Sequence, residues 1–170
     1  VKGPAYGKAS SASPGAGQDW PTYRQNASRS GATKASLPPR LKSGWERAIP
    51  GPLTAVVAAE GRLYVAQREA HTVHALSATD GSSLWQFTAG GRVDSPPTIH
   101  EGLAYFGSAD GWIYCVRADN GALAWRFRIP PEDRQITSYG QLESVWPVHG
   151  TVLVCKGPKG RPVAYAAAGR

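Results

Sequence analysis

Few residues in this chain have the type and placement to bind or polarise a ligand. Arg92, Asp94 and His149 are the candidates: a guanidinium, a carboxylate and an imidazole near the strands expected to be innermost, where they could meet a ligand. The competing reading of the same trio is an ordinary turn held by a structural ion pair. His71, His74 and His100 have no carboxylate at ligand spacing, and Asp94, Glu101 and Asp110 form no recurring set that would hold a metal. Cys115 and Cys155 belong to no C-x-x-C pair. Cys115 lies in the apolar run Trp112-Ile113-Tyr114-Cys115-Val116, which favours a buried free thiol, although a bridge to Cys155 stays open. No serine sits in a Gly-x-Ser-x-Gly elbow, and no phosphate loop of the Gly-x-x-x-x-Gly-Lys type occurs. Asn26-Ala27-Ser28 is a glycosylation triplet of a kind that arises often by chance. No residue is therefore assigned as catalytic, cofactor-binding or metal-binding.

The formal charge is +7, but the 19 basic residues are scattered from Lys2 to Arg170. The densest group is Lys156, Lys159 and Arg161, in a Gly/Pro-rich stretch. Without a basic helix or a nucleic-acid motif, this pattern reads as a solvated basic surface and not as a nucleic-acid partner. No apolar run is long enough to span a membrane as a helix. The start, Val1-Lys2-Gly3-Pro4, has neither an initiator Met nor an apolar leader, so it reads as a processed product or a piece of a longer chain.

The elements that must position these residues follow from a repeat. Trp45, Trp85 and Trp125 recur at intervals of 40 residues. Val73-His74-Ala75-Leu76 matches Ile113-Tyr114-Cys115-Val116, and Ala78-Thr79-Asp80-Gly81 matches Ala118-Asp119-Asn120-Gly121. Glu60-Gly61 corresponds to Glu101-Gly102, 41 residues on. In the second unit four strands are expected at about 93–99, 102–108, 112–118 and 123–128, separated by Glu101-Gly102, Asp110-Gly111 and Asn120-Gly121. A four-stranded antiparallel unit of roughly 40 residues has the size of a propeller blade, which must stack on neighbours to bury its faces. Trp45, Trp85 and Trp125, with Gly81 and Gly121, are the expected blade-docking residues. The fold class is thus all-β: a β-propeller of four-stranded antiparallel blades, an incomplete ring of two full blades and a partial third. The third unit begins near Glu143-Ser144-Val145-Trp146 and stops after Val163-Ala164-Tyr165-Ala166.

Three segments follow from composition. Residues 1–18, rich in Gly, Ala, Ser and Pro, read as a disordered linker; 19–43 as a lead-in strand and connection; and 44–170 as blades. Between Arg128 and Glu143 lies a polar insertion that is a candidate binding loop or a plain surface loop.

With turns and tryptophans aligned, the sequence resembles the PQQ-like β-propeller repeat family, whose blades share the signature Ala-x-Asp-x-x-Thr-Gly-x-x-x-Trp. The copies here run from Ala75 to Trp85 and from Cys115 to Trp125, with Gly81 and Gly121 in place. Ser77 and Asp80 depart from the signature in the first copy, as do Arg117 and Asn120 in the second. Asp19-Trp20-Pro21, Tyr23-Arg24 and Asn26 are similar to the segment before the first blade of long bacterial members. The resemblance implies a periplasmic or extracellular location, while the unclosed ring implies further blades in a longer parent, and Arg92, Asp94 and His149, near the expected innermost strands, are candidate channel-facing residues. The resemblance implies a choice among a binding or assembly scaffold with a protein or envelope partner, part of a PQQ-dependent dehydrogenase, and an inactive truncated piece. The dehydrogenases of the family use PQQ, calcium, an Asp base and adjacent cysteines. This chain has no adjacent cysteines, so no cofactor is expected.

Overall fold

The computed structural model describes residues 1–8 and 19–169. Two four-stranded antiparallel sheets carry the fold. The first contains β1 (Val57–Ala59), β2 (Arg62–Gln67), β3 (Thr72–Ser77) and β4 (Ser83–Thr88), in that order. The second repeats it with β5 (Thr98–His100), β6 (Leu103–Gly107), β7 (Trp112–Arg117) and β8 (Leu123–Arg128). Two hairpins follow. One joins β9 (Gln135–Ser138) to β10 (Gln141–Ser144), and the other joins β11 (Leu153–Lys156) to β12 (Pro162–Tyr165) across a short 3₁₀ turn, Pro158–Gly160.

The turn residues set these registers. Glu60-Gly61 and Glu101-Gly102 both take positive φ, at 55° and 72° and at 48° and 71°, which is the left-handed pair that a two-residue antiparallel hairpin needs. The third such pair is Tyr139-Gly140, at 50° and 73°, and it closes β9 onto β10. The polar insertion is therefore a hairpin. It takes in Glu143 and Ser144, which the repeat alone had assigned to the third unit. The first strand of the second sheet is also shorter than expected. Pro96 and Pro97 carry no N–H to donate, so pairing begins only at Thr98. In both sheets the register shifts at the same place ahead of the tryptophan, between Ala75 and Leu76 and between Cys115 and Val116.

Two buried clusters join the layers. One, containing Tyr64, Val73, Trp85, Phe106 and Tyr114, lies between the two sheets. The other, containing Ile113, Cys115, Val148, Val152 and Val154, lies between the second sheet and the β11–β12 hairpin. Trp85, on the outermost strand of the first sheet, reaches the second sheet: its indole N–H donates to the Ala118 carbonyl at 2.9 Å, and the Tyr64 hydroxyl donates to the same oxygen at 3.1 Å. The Trp85 ring lies over Gly121, where a Cβ would stand 2.7 Å from Cε3. Trp45 repeats the arrangement one layer earlier. Its N–H donates to Ala78 O at 3.1 Å, and a Cβ on Gly81 would stand 2.5 Å from its ring. Trp125 departs from the pattern. It rests against Tyr105, with centroids 6.0 Å apart, and pairs with Lys2. The third unit consists of the hairpin β11–β12, which brings no glycine turn to it.

The expected linker over 1–18 divides in two. Residues 9–18 lie outside the described residues. Residues 1–8 are not loose: 1–5 run along β8, the Tyr6 and Lys8 N–H groups turn back onto the Gly3 and Ala5 carbonyls, and Ala5 is buried. Backbone donors at Gly3 and Ala5 find carbonyls there, which composition could not reveal. Residues 20–22 tie the inner strands of the two sheets together, through a Trp20–Ala58 bridge, an Ile99 N–H donated to Pro21 O, and a Thr22–Thr98 hydroxyl contact of 2.8 Å. Cys115 and Cys155 are free thiols, and burial pushes the Cys115 thiol up to about 12.

Gly61 and Gly121 separate two costs in one experiment. Both have positive φ, but nothing lies within 4 Å of a Cβ on Gly61, whereas Gly121 faces the Trp85 ring. Gly121→Ala is expected to lower the urea midpoint well beyond Gly61→Ala, and Trp85→Ala to cost about 3–5 kcal/mol. Equal midpoints for the two glycine variants would contradict the docking geometry.

Candidate functional site

Asp94 is the centre of the site. It sits in the segment that leads from β4 into β5, and that segment is held against the turn between β6 and β7. Ala109 N–H donates to Arg92 O at 2.8 Å, and the Ser108 hydroxyl donates to Gly91 O at 2.9 Å. Gly90 and Gly91 permit the approach, since a Cβ on either would overlap Asp110, at 2.5 Å and 2.6 Å respectively. His149 enters from the stretch before β11, where its carbonyl accepts the Ser95 hydroxyl.

Three cationic or titratable side chains converge on the Asp94 carboxylate. Arg68, from the turn between β2 and β3, donates Nε at 3.0 Å and Nη2 at 2.8 Å to Oδ1. Arg92 donates Nε at 2.9 Å to Oδ1 and at 3.1 Å to Oδ2. His149 Nδ1 stands 2.7 Å from Oδ2. Burial pushes the Asp94 carboxyl up, but the hydrogen bonds from Arg68, His149 and Arg92 outweigh it and hold the group below the usual carboxylate range. On its far side, Arg92 Nη2 stands 3.1 Å from Oε1 of the fully buried Glu143, an ion pair and not an aligned hydrogen bond. The Tyr139 ring covers the Arg92 guanidinium at 4.4 Å. Gln141 anchors the β9–β10 hairpin to the first sheet through His71, at 2.7 Å, and Glu69.

These side chains line a cavity of about 390 Å³ formed by Arg68, Arg92, Asp94, Tyr139 and His149. A second cavity of about 520 Å³ shares Asp94 and is lined by Tyr23, Arg29, Ser95, Pro96 and Thr151. The structure thus brings Arg92, Asp94 and His149 together. Arg68, Tyr139 and Glu143 complete the group, and no motif singled them out: Arg68 lies 26 residues from Asp94 and Glu143 lies in the insertion. The remaining histidines do not join it. His74 is buried beside Gln67, and burial with the nearby Arg47 charge holds its pKa down. His100 lies 3.7 Å from Glu101.

A family model of the PQQ-like type, described as outer membrane protein assembly factor BamB, matches residues 26–170. The chain belongs to this PQQ-like β-propeller family. The outer membrane protein assembly factor BamB of Moranella endobia (strain PCIT) is 33% identical over 82 residues, which are 48% of this chain and 21% of that protein. The chain therefore matches about a fifth of the length of such relatives. Among solved structures, BamB from Moraxella catarrhalis aligns with a TM-score of 0.57 at 18% identity, covering 74% of this chain and 37% of that one. The quinohemoprotein alcohol dehydrogenase ADHIIG from Pseudomonas putida HK5 aligns with a TM-score of 0.67 at 16% identity, covering 89% and 25%. Both structural likenesses establish the β-propeller fold and nothing further.

A PQQ–calcium centre, which the family includes, does not fit the residues at this site. A calcium ion needs oxygen ligands with free lone pairs. Both Asp94 oxygens are taken by cationic or imidazole donors, and Glu143 faces Arg92. Among the described residues no three of His, Cys, Asp and Glu group as metal ligands.

The Asp94 linkage gives a pH-dependent prediction. Asp94→Asn is expected to destabilise the chain by about 3 kcal/mol at pH 7, because Arg68 loses its carboxylate partner and Arg92 keeps only Glu143. The folded pKa is depressed, so the wild-type advantage is fully present above the unfolded value of about 3.9 and declines as pH falls through the lower folded value. Urea midpoints of both proteins at pH 7 and through the acid range test this; a gap that stays constant into strong acid would refute it.

Proposed function

We propose that this chain is a non-catalytic PQQ-like propeller segment that serves as a binding and assembly scaffold in the cell envelope, on the periplasmic side. One observation carries the reading: the carboxylate best placed for chemistry, Asp94, is spent on Arg68, Arg92 and His149. A general base needs an oxygen within reach of a substrate proton and a pKa near the working pH. Asp94 has its oxygens engaged and its pKa lowered. What the cluster does is join parts. It ties the first sheet through Arg68, the second through Arg92 and Asp94, the third unit through His149 and the inserted hairpin through Glu143.

The family match to an outer membrane protein assembly factor supports a protein or envelope component as partner. In a ring completed by further blades, Arg92, Asp94 and His149 would face the channel, with the β9–β10 hairpin across its mouth. Among the described residues no helix is long and apolar enough to cross a membrane.

Deleting the encoding gene tests the reading. The amount of folded β-barrel protein in the outer membrane, measured by heat-modifiable migration on gels, is expected to fall and to be restored by the full-length gene. It is also expected to be restored by an Asp94→Asn copy supported at low temperature, where a scaffold needs only to fold. Unchanged barrel levels, or a quinone-dependent dehydrogenase activity in the purified full-length protein, would overturn it.

A further inference from the structure

The outer edge of the second sheet carries a strand of its own. Residues 1–5 lie antiparallel to β8, with a Lys2–Trp125 bridge. Gly3 N–H donates to Ala124 O at 2.8 Å, Ala5 N–H donates to Leu123 O at 3.0 Å, and Arg126 N–H donates to Val1 O at 3.0 Å. Among the described residues no comparable segment runs along β4, the equivalent strand of the first sheet. The seat is selective. A Cβ on Gly3 would overlap the Leu123 carbonyl oxygen, and Ala5 is 4% exposed. Pro4 falls between the two donors that face β8, so its missing N–H would have pointed away, and it blunts the far edge against another strand. Beside the seat opens a groove of about 410 Å³ lined by Val1, Tyr6, Ile113, Trp125, Phe127 and Ala164. Phe127 is 61% exposed there.

We propose that β8 is a strand-accepting edge whose partner is an extended polypeptide segment, and that residues 1–6 are its built-in, exchangeable occupant. The fitting segment carries glycine opposite the Leu123 carbonyl, a small residue at the place of Ala5, and an aromatic residue able to lie in the groove as Tyr6 does. Backbone hydrogen bonds give affinity for any extended chain, and the alternate side-chain positions give selectivity. The hold on residues 1–6 is modest: backbone bonds to β8, one buried alanine, and a Lys2–Tyr6 cation–π contact internal to the segment. An incoming strand competes with an occupant tethered at an effective concentration on the order of millimolar. The edge is distinct from the Asp94 cluster, and strand acceptance stands or falls independently of the assembly role.

The test uses the whole chain with Gly3→Val, which lifts the occupant from its seat, and a fluorescent peptide of residues 1–8. Anisotropy is expected to show saturable binding to the Gly3→Val chain and binding about tenfold or more weaker to the wild-type chain, whose edge is taken. A peptide carrying Gly3→Val is expected not to bind. Hydrogen exchange at the Arg126 amide provides a second readout: fast in the Gly3→Val chain, slow again once the peptide is added. Ala5→Glu offers a second way to open the edge should Gly3→Val fail to fold. Absence of binding to both opened chains, equal binding to opened and wild-type chains, or equal binding of the two peptides would overturn the proposal.

Discussion

The structure depends on an indole ring lying flat on a glycine. Trp45 on Gly81 and Trp85 on Gly121 are the same contact repeated 40 residues apart, and each combines three requirements at one point. The turn needs positive φ, 70° and 71°, which glycine adopts without strain. The ring needs the space a Cβ would fill. The indole N–H, taken out of water, needs an acceptor and finds the Ala78 or Ala118 carbonyl just ahead of the glycine. A residue other than glycine fails the first two requirements together. The signature is therefore short and rigid, and the distance between successive tryptophans equals the length of one sheet. Tyr64 adds its hydroxyl to the carbonyl that Trp85 uses, so the contact between the two sheets is polar and apolar in the same few ångströms.

Along the inner edge the layers are joined by charge. Asp94 neutralises Arg68 and Arg92, and Arg92 in turn neutralises a buried Glu143. A buried charge is tolerable only when it is paired, and the four members here come from three segments, Arg92 and Asp94 sharing one. A group that holds three segments cannot also offer a lone pair to a substrate or cation without releasing them. The residues that would draw attention as an acid–base set are bound to one another, and the two cavities beside them share Asp94 in their walls.

The legible part of the fold was the periodic part. Glu-Gly turns, Asp-Gly and Asn-Gly turns and the recurring tryptophans are local signals, so the eight strands from Val57 to Arg128 and their order could be read directly. Arg92, Asp94 and His149 were visible as chemically capable residues near the inner strands, but Arg68 was not, because nothing in a turn sequence says which carboxylate lies across the sheet edge. The β9–β10 hairpin was missed for a related reason. Its strands, Gln-Ile-Thr-Ser and Gln-Leu-Glu-Ser, are short and polar, and Tyr139 at positive φ is an uncommon turn former. Residues 1–5 have the composition of a linker, and what ties them to β8 is mainly their backbone donors and acceptors. Composition reports on side chains and is blind to a strand whose affinity lies in its main chain.

Trp125 shows what a repeat does where it stops repeating. It has the sequence position of Trp45 and Trp85 and the same aromatic neighbour, Tyr105 in place of Tyr64. Among the described residues, however, it meets no glycine turn and no carbonyl for its indole N–H. The layer beyond it is the β11–β12 hairpin, which covers Ile113 and Cys115 with Val148, Val152 and Val154 but leaves the outer end of β8 open. An outer strand with an unpaired edge and exposed apolar side chains invites another chain. Residues 1–6 answer that need locally, supplying backbone partners where the regular contact is missing. Among the described residues the first sheet, closed by Trp85, has no such strand. The edge strand and the half-buried tryptophan are thus two sides of one departure from the 40-residue pattern, and the face where they occur is the one on which this chain can be joined to something else.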